Sequence, residues 1–263
     1  MIEAPAEAVH RLWDDLADFS PTQTEWALDW LMAGLVERTG ASNAVWIGAV
    51  RMGNDETDVL SGWRVGSVKT LHPIVREKTP ARFDEILRKW QPEEPDLSVR
   101  LSLLNVCTFR NYAFRRDLPA SWFDSLAFHL QYRSQGFEDA VFVAFPMNSQ
   151  CESHFGFYFN EPISKGAIAR VTYALRGIKW FHRQIMLGRG LLLASDPLTP
   201  IEHSVLQRML AKASVRSISL DLGMADADTR HHLASILRKF GVRSRAGLMS
   251  VWLNPPMTSI PVP

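Results

Sequence analysis

The sequence of 263 residues has no apolar run approaching the roughly 18 residues needed to cross a bilayer. Its two cysteines, Cys107 and Cys151, form no CxxC pair, which excludes a disulfide framework and favours two buried thiols in a reducing compartment. Repeats and low-complexity segments are also absent, and the acidic, interrupted start MIEAPAEAVHRLWDDL is unlike a signal peptide. With 46% hydrophobic and 22% charged residues, the composition predicts a soluble, cytoplasmic protein of one large or two ordinary domains.

The sequence motifs of several common enzyme classes are missing. GWRVG, residues 62–66, has arginine where a GxSxG elbow would have its serine. There is no Walker loop and no HExxH motif. Cys151, in the polar stretch QCES with His154 nearby, could be an exposed and oxidisable thiol, but no base is adjacent to it in the sequence. We therefore predict no enzymatic activity, no catalytic residue and no cofactor.

Charge is divided unevenly along the chain. Residues 1–197 carry 21 Lys and Arg against 24 Asp and Glu, whereas residues 198–263 carry eight against four. A net charge of +1 thus conceals an acidic body and a basic end, and the basic end favours a polyanionic partner. The break falls in LLLASDPLTP, where the prolines interrupt a helical pattern. The sequence therefore predicts a first domain at 1–190 and a second at 198–263.

The second domain reads as four short helices. Thr199-Pro200-Ile201-Glu202 is a T-x-x-E capping box with proline at the first helical position, and apolar residues follow it at helical spacing. Ser214, Asp226 or Asp228, and Ser244 can cap the next three helices, with stops at Gly223 and Gly241. Two of these helices are joined by the tight turn at Gly223, which is typical of a helix-turn-helix unit.

These segments carry a family resemblance. Three segments together resemble the DNA-binding domain of LuxR-type (GerE-type) transcription regulators: LTPIEHSVLQRML, the ISLDLG turn and HLASILRKFGVRSRAGLMSVWL. The consensus sequence of that family has LTPRE, IAxxLG, TVKxH and KLGVxSR at these places. The matches in register, without gaps, are Leu198, Thr199, Pro200, Glu202, Val205, Leu206, Ser214, Ile218, Leu222, Gly223, His232, Lys239, Gly241, Val242, Ser244 and Arg245.

The resemblance implies a cytoplasmic, homodimeric regulator that binds double-stranded DNA with the third helix in the major groove. By the resemblance, the base-facing residues are Arg230, His231 and Ala234, and arginine can pair in bidentate fashion with guanine. The residues implied to contact phosphates are Thr199, Lys239, Arg243 and Arg245. The residues implied to pair two copies, all on the fourth helix, are Leu248, Val251 and Trp252.

The pair His231-His232, with Asp226 and Asp228 just upstream, could alternatively mark a metal site. A metal needs three or four converging ligands, yet adjacent residues on a helix diverge by about 100°, and only His203 is otherwise near in sequence. Over a metal site and a plain solvated face, we favour groove reading by His231, with His232 in a partly buried structural role as in the family. No metal site is predicted.

Two departures from the family consensus sequence leave an alternative function open. Ser219 replaces a small alanine, and Asp228-Thr229-Arg230 replaces Thr-Val-Lys at the start of the recognition helix. A carboxylate at Asp228 would weaken the electrostatic attraction that dominates DNA affinity, unless it caps the helix instead. The alternative is a protein–protein interaction module, such as an anti-regulator, whose degenerate helix-turn-helix does not read DNA.

The first domain reads as mixed α/β, so that the whole chain is α+β: a GAF- or PAS-like α/β sandwich followed by an all-α four-helix domain. Its order of helices, hairpin, helices, hairpin and connecting helix resembles that of sensory domains. The predicted helices are PAEAVHRLWDDLADF, TQTEWALDWLMAGLVERTG ending at Gly40, PARFDEILRKW, Leu97 to Cys107, SWFDSLAFHLQYRSQG ending at Gly136, and Lys165 to Leu187. The predicted strands are AVWIGAVRM, DVLSGWRVGSV, EDAVFVAFPM and SHFGFYFN, with polar turns GNDET and NSQCE.

Aromatic residues of this domain could line a ligand cavity or simply form a solid core. We predict a cavity between the sheet and the middle helices with Trp63, Tyr112 and Trp122 in its walls, suited to a mostly apolar ligand with one polar end. We predict that Trp63 lies in the middle of the strand DVLSGWRVGSV. The polar groups expected nearby are Arg64, Arg110 and Asn111, and further candidate rings are Phe109, Phe123 and Tyr132.

Two known modes of control find no support in this domain. The W-xxx-Y pattern with a downstream aspartate, typical of acyl-homoserine-lactone receptors, is absent around Trp63. Asp14-Asp15 lies inside a predicted helix rather than after a strand, which argues against a phosphoreceiver domain.

Overall fold

A computed structural model describes residues 5–51, 58–74, 95–192 and 198–253 of the chain. The chain divides into two compact units, one made of Met1–Phe19 and Glu25–Arg183 and the other of Ser20–Thr24 and Gln184–Pro263. Among the described residues, no helix combines the length and apolarity that crossing a membrane requires. The predicted helix PARFDEILRKW, the loop GNDET and the predicted break at Asp196-Pro197 lie outside the described residues.

The first unit is organised around a five-stranded antiparallel sheet with the order β2-β1-β5-β4-β3. The strands are β1 (Asn43–Arg51), β2 (Trp63–Thr70), β3 (Arg110–Ala113), β4 (Asp139–Asn148) and β5 (Cys151–Phe159). In the centre of the sheet, Phe157 of β5 lies opposite Ala44 of β1 and Val141 of β4. The two predicted hairpins, β1 with β2 and β4 with β5, are confirmed.

The helices between residues 5 and 188 fall into a long set and a short set. The long helices are α1 (Pro5–Ala17), α2 (Thr24–Thr39), α6 (Lys165–Arg176) and α7 (Lys179–Gly188). The short ones are α3 (Leu97–Leu103), α4 (Phe114–Asp117) and α5 (Leu126–Gln131), with 3-10 turns at Pro21–Gln23, Ala120–Asp124 and Arg133–Gln135. Gly40 and Gly136 have the left-handed φ values of 75° and 80° that suit the predicted stops.

Alternation along the strands gives the sheet two different faces. On the helix face, Ser153 binds Trp46 Nε1 and His182 Nδ1 of α7, both at 2.8 Å, and α6 contacts β4. On the opposite face, hereafter the cavity face, Phe142 and Tyr158 pack with residues of the short helices and turns: Leu101, Phe114, Trp122, Phe123 and Phe128. The prediction of an α+β chain, with a sheet packed by helices before an all-helical end, is confirmed.

Strand β2 begins later than the sequence pattern predicts, and Trp63 is its first residue rather than a mid-strand one. The preceding residues turn because the Asp58 carboxylate accepts hydrogen bonds from the N–H groups of Leu60 (3.0 Å) and Gly62 (2.8 Å). Backbone groups engaged in such a turn cannot pair in a sheet ladder.

The predicted connecting helix from Lys165 to Leu187 is two helices that separate after Arg176. The indole of Trp13 lies directly against Gly177, where a side chain would collide with the ring. Trp13 Nε1 also donates to the carbonyl of Ala174 (2.8 Å), the oxygen that the N–H of residue 178 would use in a continuous helix. A residue 161 positions away therefore ends α6.

Two other predicted helices are shorter or divided. The stretch SWFDSLAFHLQYRSQG is interrupted at Ser125, whose hydroxyl accepts from the N–H of Phe128 (3.1 Å) and so begins a new helix, α5. The predicted helix from Leu97 to Cys107 ends at Leu103, and Asn105 and Cys107 adopt left-handed φ values of 55° and 63°.

Of the two thiols expected to be buried, the structure buries Cys151, which excludes its alternative as an exposed thiol, and exposes Cys107. Cys151 lies in β5 and is buried, and burial raises the pKa of its thiol to about 11. The turn before it is shorter than predicted, with Gln150 N–H bonded to Asn148 Oδ1 (2.8 Å), so Cys151 belongs to the sheet rather than to a polar loop.

The second unit holds the four predicted helices: α8 (Pro200–Leu210), α9 (Val215–Leu222), α10 (Asp226–Lys239) and α11 (Arg245–Leu253). Ser214 caps α9 through a hydrogen bond from Ser217 N–H (3.1 Å), and Ser244 accepts from Gly247 N–H (3.0 Å) at the start of α11. The fully buried side chains of its core include Val205, Leu206, Ile218, Ile236 and Leu248.

Candidate nucleic-acid interface

Helix α8 begins with the predicted capping box. Thr199 Oγ1 accepts from the N–H of Glu202 (3.3 Å), and Glu202 Oε2 accepts from the N–H of Thr199 (2.8 Å), with Pro200 at the first helical position. The Thr199 hydroxyl and the Glu202 carboxylate thus each satisfy one otherwise unpaired amide donor at this helix end. The predicted role of Thr199 as a phosphate contact competes with this structural one.

Glu202 also ties α8 to α10. Its side chain is 5% exposed and accepts from Ser235 Oγ (2.6 Å) and Lys239 Nζ (2.7 Å). Burial by itself would raise the pKa of Glu202, but the hydrogen bonds from Lys239, Ser235 and Thr199 outweigh it and hold the pKa at about 2. The ammonium of Lys239, predicted to contact phosphate, is instead engaged inside the unit, where its side chain is 16% exposed.

The turn between α9 and α10 has the geometry of a helix-turn-helix. Gly223 ends α9 with a φ of 63°, and Ala225 is the N-cap of α10 without any side-chain hydrogen bond. The predicted capping by Asp226 or Asp228 is therefore wrong: both lie inside the first turn of α10. There their negative charges complement the positive end of the helix dipole.

The outward face of α10 is made of the residues that the family resemblance assigns to base contacts. Arg230, His231 and Ala234 are all exposed, while Thr229 and Ile236 on the other side are fully buried. The same face includes Ala227, Asp228 and Arg238, which are also exposed. Arg238 was missed by the sequence reasoning, although the helical spacing 227, 231, 234 and 238 predicts it.

The adjacent histidines do not form a metal centre with other side chains of the described residues, where no cluster of three or more His, Cys, Asp and Glu occurs. His231 is exposed and His232 half-buried, and their ring centroids are 5.9 Å apart at an angle of 75°.

Two other predicted DNA contacts differ in their surroundings. Arg243 is exposed. Arg245 donates through Nη2 to the carbonyls of Met209 (2.8 Å), in the last turn of α8, and Ala213 (2.9 Å), just beyond that helix. Arg245 therefore caps one helix while standing at the start of another.

Of the three predicted dimer contacts on α11, only the side chain of Leu248 lies in the part of the chain that the structure describes. Leu248 is 0% exposed and packs in the core of its own unit, so its side chain is not part of an outer face. Val251 and Trp252 lie on α11, but their side chains are outside the part of the chain that the structure describes.

A second candidate site lies on the cavity face of the first unit. A partly open cavity of about 100 Å³ lies there, and the described residues of its wall are Val45, Ile47, Thr70, Ile74, Ser98, Val99, Ser102, Tyr112, Phe114, Tyr132, Phe142, His154 and Tyr158. Tyr112 is in the wall as predicted. Trp63 and Trp122, also predicted there, are not among these wall residues. Trp63 belongs to a core cluster with Leu60 and Val99, and Trp122 donates its indole N–H to Asp96 Oδ2 (3.0 Å).

The polar residues expected around this cavity are engaged elsewhere. Arg64 pairs with Asp58 (2.8 Å), and Asn111 donates to Thr172 of α6 (3.0 Å) on the helix face. Arg110 binds both carboxylate oxygens of Glu152 (2.8 Å each). The polar side chains that the structure does place in the wall include Ser98, Ser102 and His154, which the sequence reasoning missed because they come from separate elements.

The fold and exposed face of the second unit define a helix-turn-helix domain. Residues 196–252 match the family model "Bacterial regulatory proteins, luxR family" (GerE). The C-terminal unit therefore contains a LuxR-family domain, and the family predicted from the sequence is confirmed for it.

Known proteins give the following similarities. Over 59 residues the chain is 36% identical to the "Probable HTH-type transcriptional regulator GfsR" of Streptomyces halstedii, a match that covers 22% of this chain and 24% of that protein. The VqsR LBD domain from Pseudomonas aeruginosa has 11% identity and a TM-score of 0.43, covering 68% of this chain and 94% of the other. Escherichia coli SdiA has 10% identity and a TM-score of 0.40, covering 92% and 94%.

Proposed function

We propose that the protein is a DNA-binding transcription regulator of the LuxR type, with α10 as its recognition helix. The observation that carries this proposal is the asymmetry of α10 within a LuxR-family domain. One side is anchored through Thr229, Ser235 and Ile236, and the other presents Arg230, His231 and Ala234 outward. A helix held in this way can enter the major groove without rearrangement of the unit.

Different residues take different roles in this interface. Arg230 reads guanine through its two parallel N–H donors, and His231 reaches a base edge or a phosphate. Arg243 and Arg238, both exposed, contact phosphates. Thr199, Lys239 and Arg245 act chiefly by holding α8, α10 and α11 together, since their polar atoms bind groups of the same unit.

Selection of bound genomic fragments by the full chain, followed by mobility shifts at several salt concentrations, tests the proposal. Arg230→Ala should cost about 1–3 kcal/mol of binding free energy and relax the base preference at one position. Arg170→Ala removes an exposed arginine of the first unit and serves as the matched control. If no fragment gives a salt-dependent shift, the protein–protein interaction module is the better description.

We propose further that the regulator is a homodimer that pairs through the end of α11 beyond Leu248. The sequence places Val251 and Trp252 there, and an operator with two half-sites calls for a two-fold protein. Sedimentation of the full chain at micromolar concentration, with and without operator DNA, tests this. A monomer under both conditions contradicts it.

We also propose that the first unit is sensory and binds a small ligand in the cavity lined by Tyr112. The support is the wall itself, in which Phe114, Phe142 and Tyr158 provide apolar surface and a few polar side chains converge. A ligand that binds only the folded chain must raise its melting temperature.

A further inference from the structure

Two alanines lie at the centre of the outward face of α10, where a recognition helix comes closest to the base pairs. We propose that Ala227 and Ala234 each contact the C5-methyl group of a thymine, so that the half-site bound by α10 contains two thymines. This inference rests on the proposed DNA binding by α10 and goes beyond it by naming the base that the exposed alanines select. The family resemblance places Ala234 on this face but names no base for it.

The order of side chains around α10 places the two alanines on one line. Successive residues of an α-helix are rotated by about 100°, so His231 lies about 40° from Ala227 on one side and Ala234 about 20° on the other. Arg230 lies farther out, about 60° from Ala227 on the side of Ala234. All four residues are exposed. Ala227, His231 and Ala234 therefore form the middle of the face, hereafter the midline, and Arg230 flanks it.

The opposite side of α10 prevents rotation of the helix about its own axis. The Thr229 hydroxyl binds Ser219 of α9 (2.8 Å), and the Ser235 hydroxyl donates to Glu202 of α8 (2.6 Å). Ile236 is fully buried in the core of the unit. A rotated helix would leave buried hydroxyls without partners and expose an apolar side chain. The midline is therefore the part of α10 that faces the bases when this helix enters the groove.

The chemistry of the major groove decides which bases can face the alanines of the midline. Guanine, adenine and cytosine present hydrogen-bond donors or acceptors there, whereas thymine presents a methyl group beside its one acceptor. An alanine pressed against a donor or an acceptor removes its water and offers no replacement, which costs free energy. Against the thymine methyl, the same alanine buries apolar surface on both partners. Two alanines on the midline therefore select thymine at two positions.

The spacing of the alanines sets the spacing of the thymines. Seven residues separate Ala227 from Ala234, which is about 10 Å along a helix axis, and successive base pairs rise by about 3.4 Å. For a helix that follows the groove, this distance corresponds to about two or three base pairs. Arg230 and His231 come between the alanines in the sequence, so the guanine proposed for Arg230 lies in the same stretch of DNA.

Replacement of thymine by uracil in the DNA tests the inference without changing the protein. A fragment bound by the full chain is obtained by genomic selection, and each thymine of its half-site is then replaced in turn by deoxyuridine. Uracil keeps every hydrogen-bonding group of thymine and lacks only the methyl. Two of these replacements, about two or three base pairs apart, should each weaken binding about four-fold, the effect of leaving one methyl group unburied.

Glycine variants assign each thymine to its alanine. Ala234→Gly removes the methyl group of the protein, so the thymine and uracil operators should bind equally at one position, while the other position keeps its difference. Ala227→Gly should give the reciprocal result. A general loss of affinity caused by glycine in a helix affects both operators alike and cancels in their ratio. Ala33→Gly, at an exposed site of α2, is the matched control and should preserve both differences.

Three results would overturn the inference. If no thymine of the half-site responds to loss of its methyl while salt-dependent binding persists, the regulator proposal stands and the alanines do not read bases. If the methyl effects survive undiminished in both glycine variants, other side chains make the contacts. If no genomic fragment binds at all, this inference and the proposed DNA binding fail together. The deoxyuridine measurement uses the unaltered chain, so it is decisive even where a glycine variant does not fold.

Discussion

Ser219 and Thr229 form a buried hydrogen bond, 2.8 Å long, between α9 and α10. Ser219 donates in turn to the carbonyl of Val215 (2.8 Å), so Thr229 is the donor to Ser219. Their side chains lie at the centre of the helix-turn-helix, where Thr229 is 0% and Ser219 3% exposed. The hydroxyl of Ser219, where the family consensus has alanine, therefore has a partner in Thr229. The pair holds the two helices at one relative orientation.

Ser219→Ala should lower the local stability of α9 and α10 by about 1–2 kcal/mol, because it leaves the Thr229 hydroxyl buried without an acceptor. The double variant Ser219→Ala with Thr229→Val removes both polar groups and should recover most of that loss. Hydrogen exchange of the α9 and α10 amides in the full chain measures both. Ser217→Ala, at an exposed site of α9, is the control. If the stability losses of Ser219→Ala and Thr229→Val measured separately add up to the loss in the double variant, the two side chains are not coupled.

Glu202 should make the second unit sensitive to acid. Its folded pKa is about 2 against an ordinary value of 4.5. A lowered carboxyl pKa stabilises the fold above the unfolded value, and this contribution is lost as the pH falls from about 4.5 through about 2. The loss should be on the order of 2–3 kcal/mol.

Glu202→Gln should flatten this pH dependence and cost roughly 2 kcal/mol at neutral pH, because the ion pair between Glu202 and Lys239 is lost. Hydrogen exchange across α8 and α10 between pH 3 and 7 reports the change. Asp221→Asn, whose carboxylate is 54% exposed beside Arg208 (3.7 Å), should have little effect. An unchanged pH profile in Glu202→Gln would show that Glu202 is not the responsible group.

Asp228 should weaken DNA binding by repelling phosphates. Asp228→Asn should raise affinity a few-fold at low salt, with the gain shrinking as salt increases. Mobility shifts on a selected operator measure this, with Glu161→Gln, an exposed site of the first unit, as control. Weaker binding by Asp228→Asn would mean the reverse, that the carboxylate accepts a hydrogen bond from a base amino group such as that of cytosine.

We expect Lys239 to have a structural role and Arg243 to contact DNA. Arg243→Ala should weaken binding to all sequences alike and lower the salt slope by about one. Lys239→Gln should instead reduce the stability of α8 and α10 through the loss of its bond to Glu202, with the salt slope kept. A salt slope that falls equally in both variants would place Lys239 on a phosphate.

Local features of the fold were predictable because their causes are local. The capping box at Thr199 and Glu202 joins atoms three residues apart, and the stops at Gly136 and Gly223 need only a left-handed φ. The exposed face of α10 follows from helical spacing alone, which is why Arg230, His231 and Ala234 were placed correctly. The strands of the central hairpins follow from their β-branched and aromatic composition.

Features that join distant parts of the chain were not predictable from any local pattern. Nothing near Gly177 in the sequence indicates that Trp13 will end α6, and nothing near Cys151 indicates that it belongs to the sheet rather than the turn. The wall of the cavity shows the same limit, because Ser102, Tyr112 and His154 meet only when α3, β3 and β5 pack together.

The sequence by itself determined the helix-turn-helix and the face of α10 turned outward, because caps, glycine stops and hydrophobic periodicity act over a few residues. Only the tertiary structure decided which polar side chains are free to bind a partner. Lys239 binds Glu202, 37 positions away, and Arg245 binds Met209 O, 36 positions away. A buried carboxylate or an open helix end must find a partner wherever packing brings one, and that choice depends on distance in space rather than along the chain.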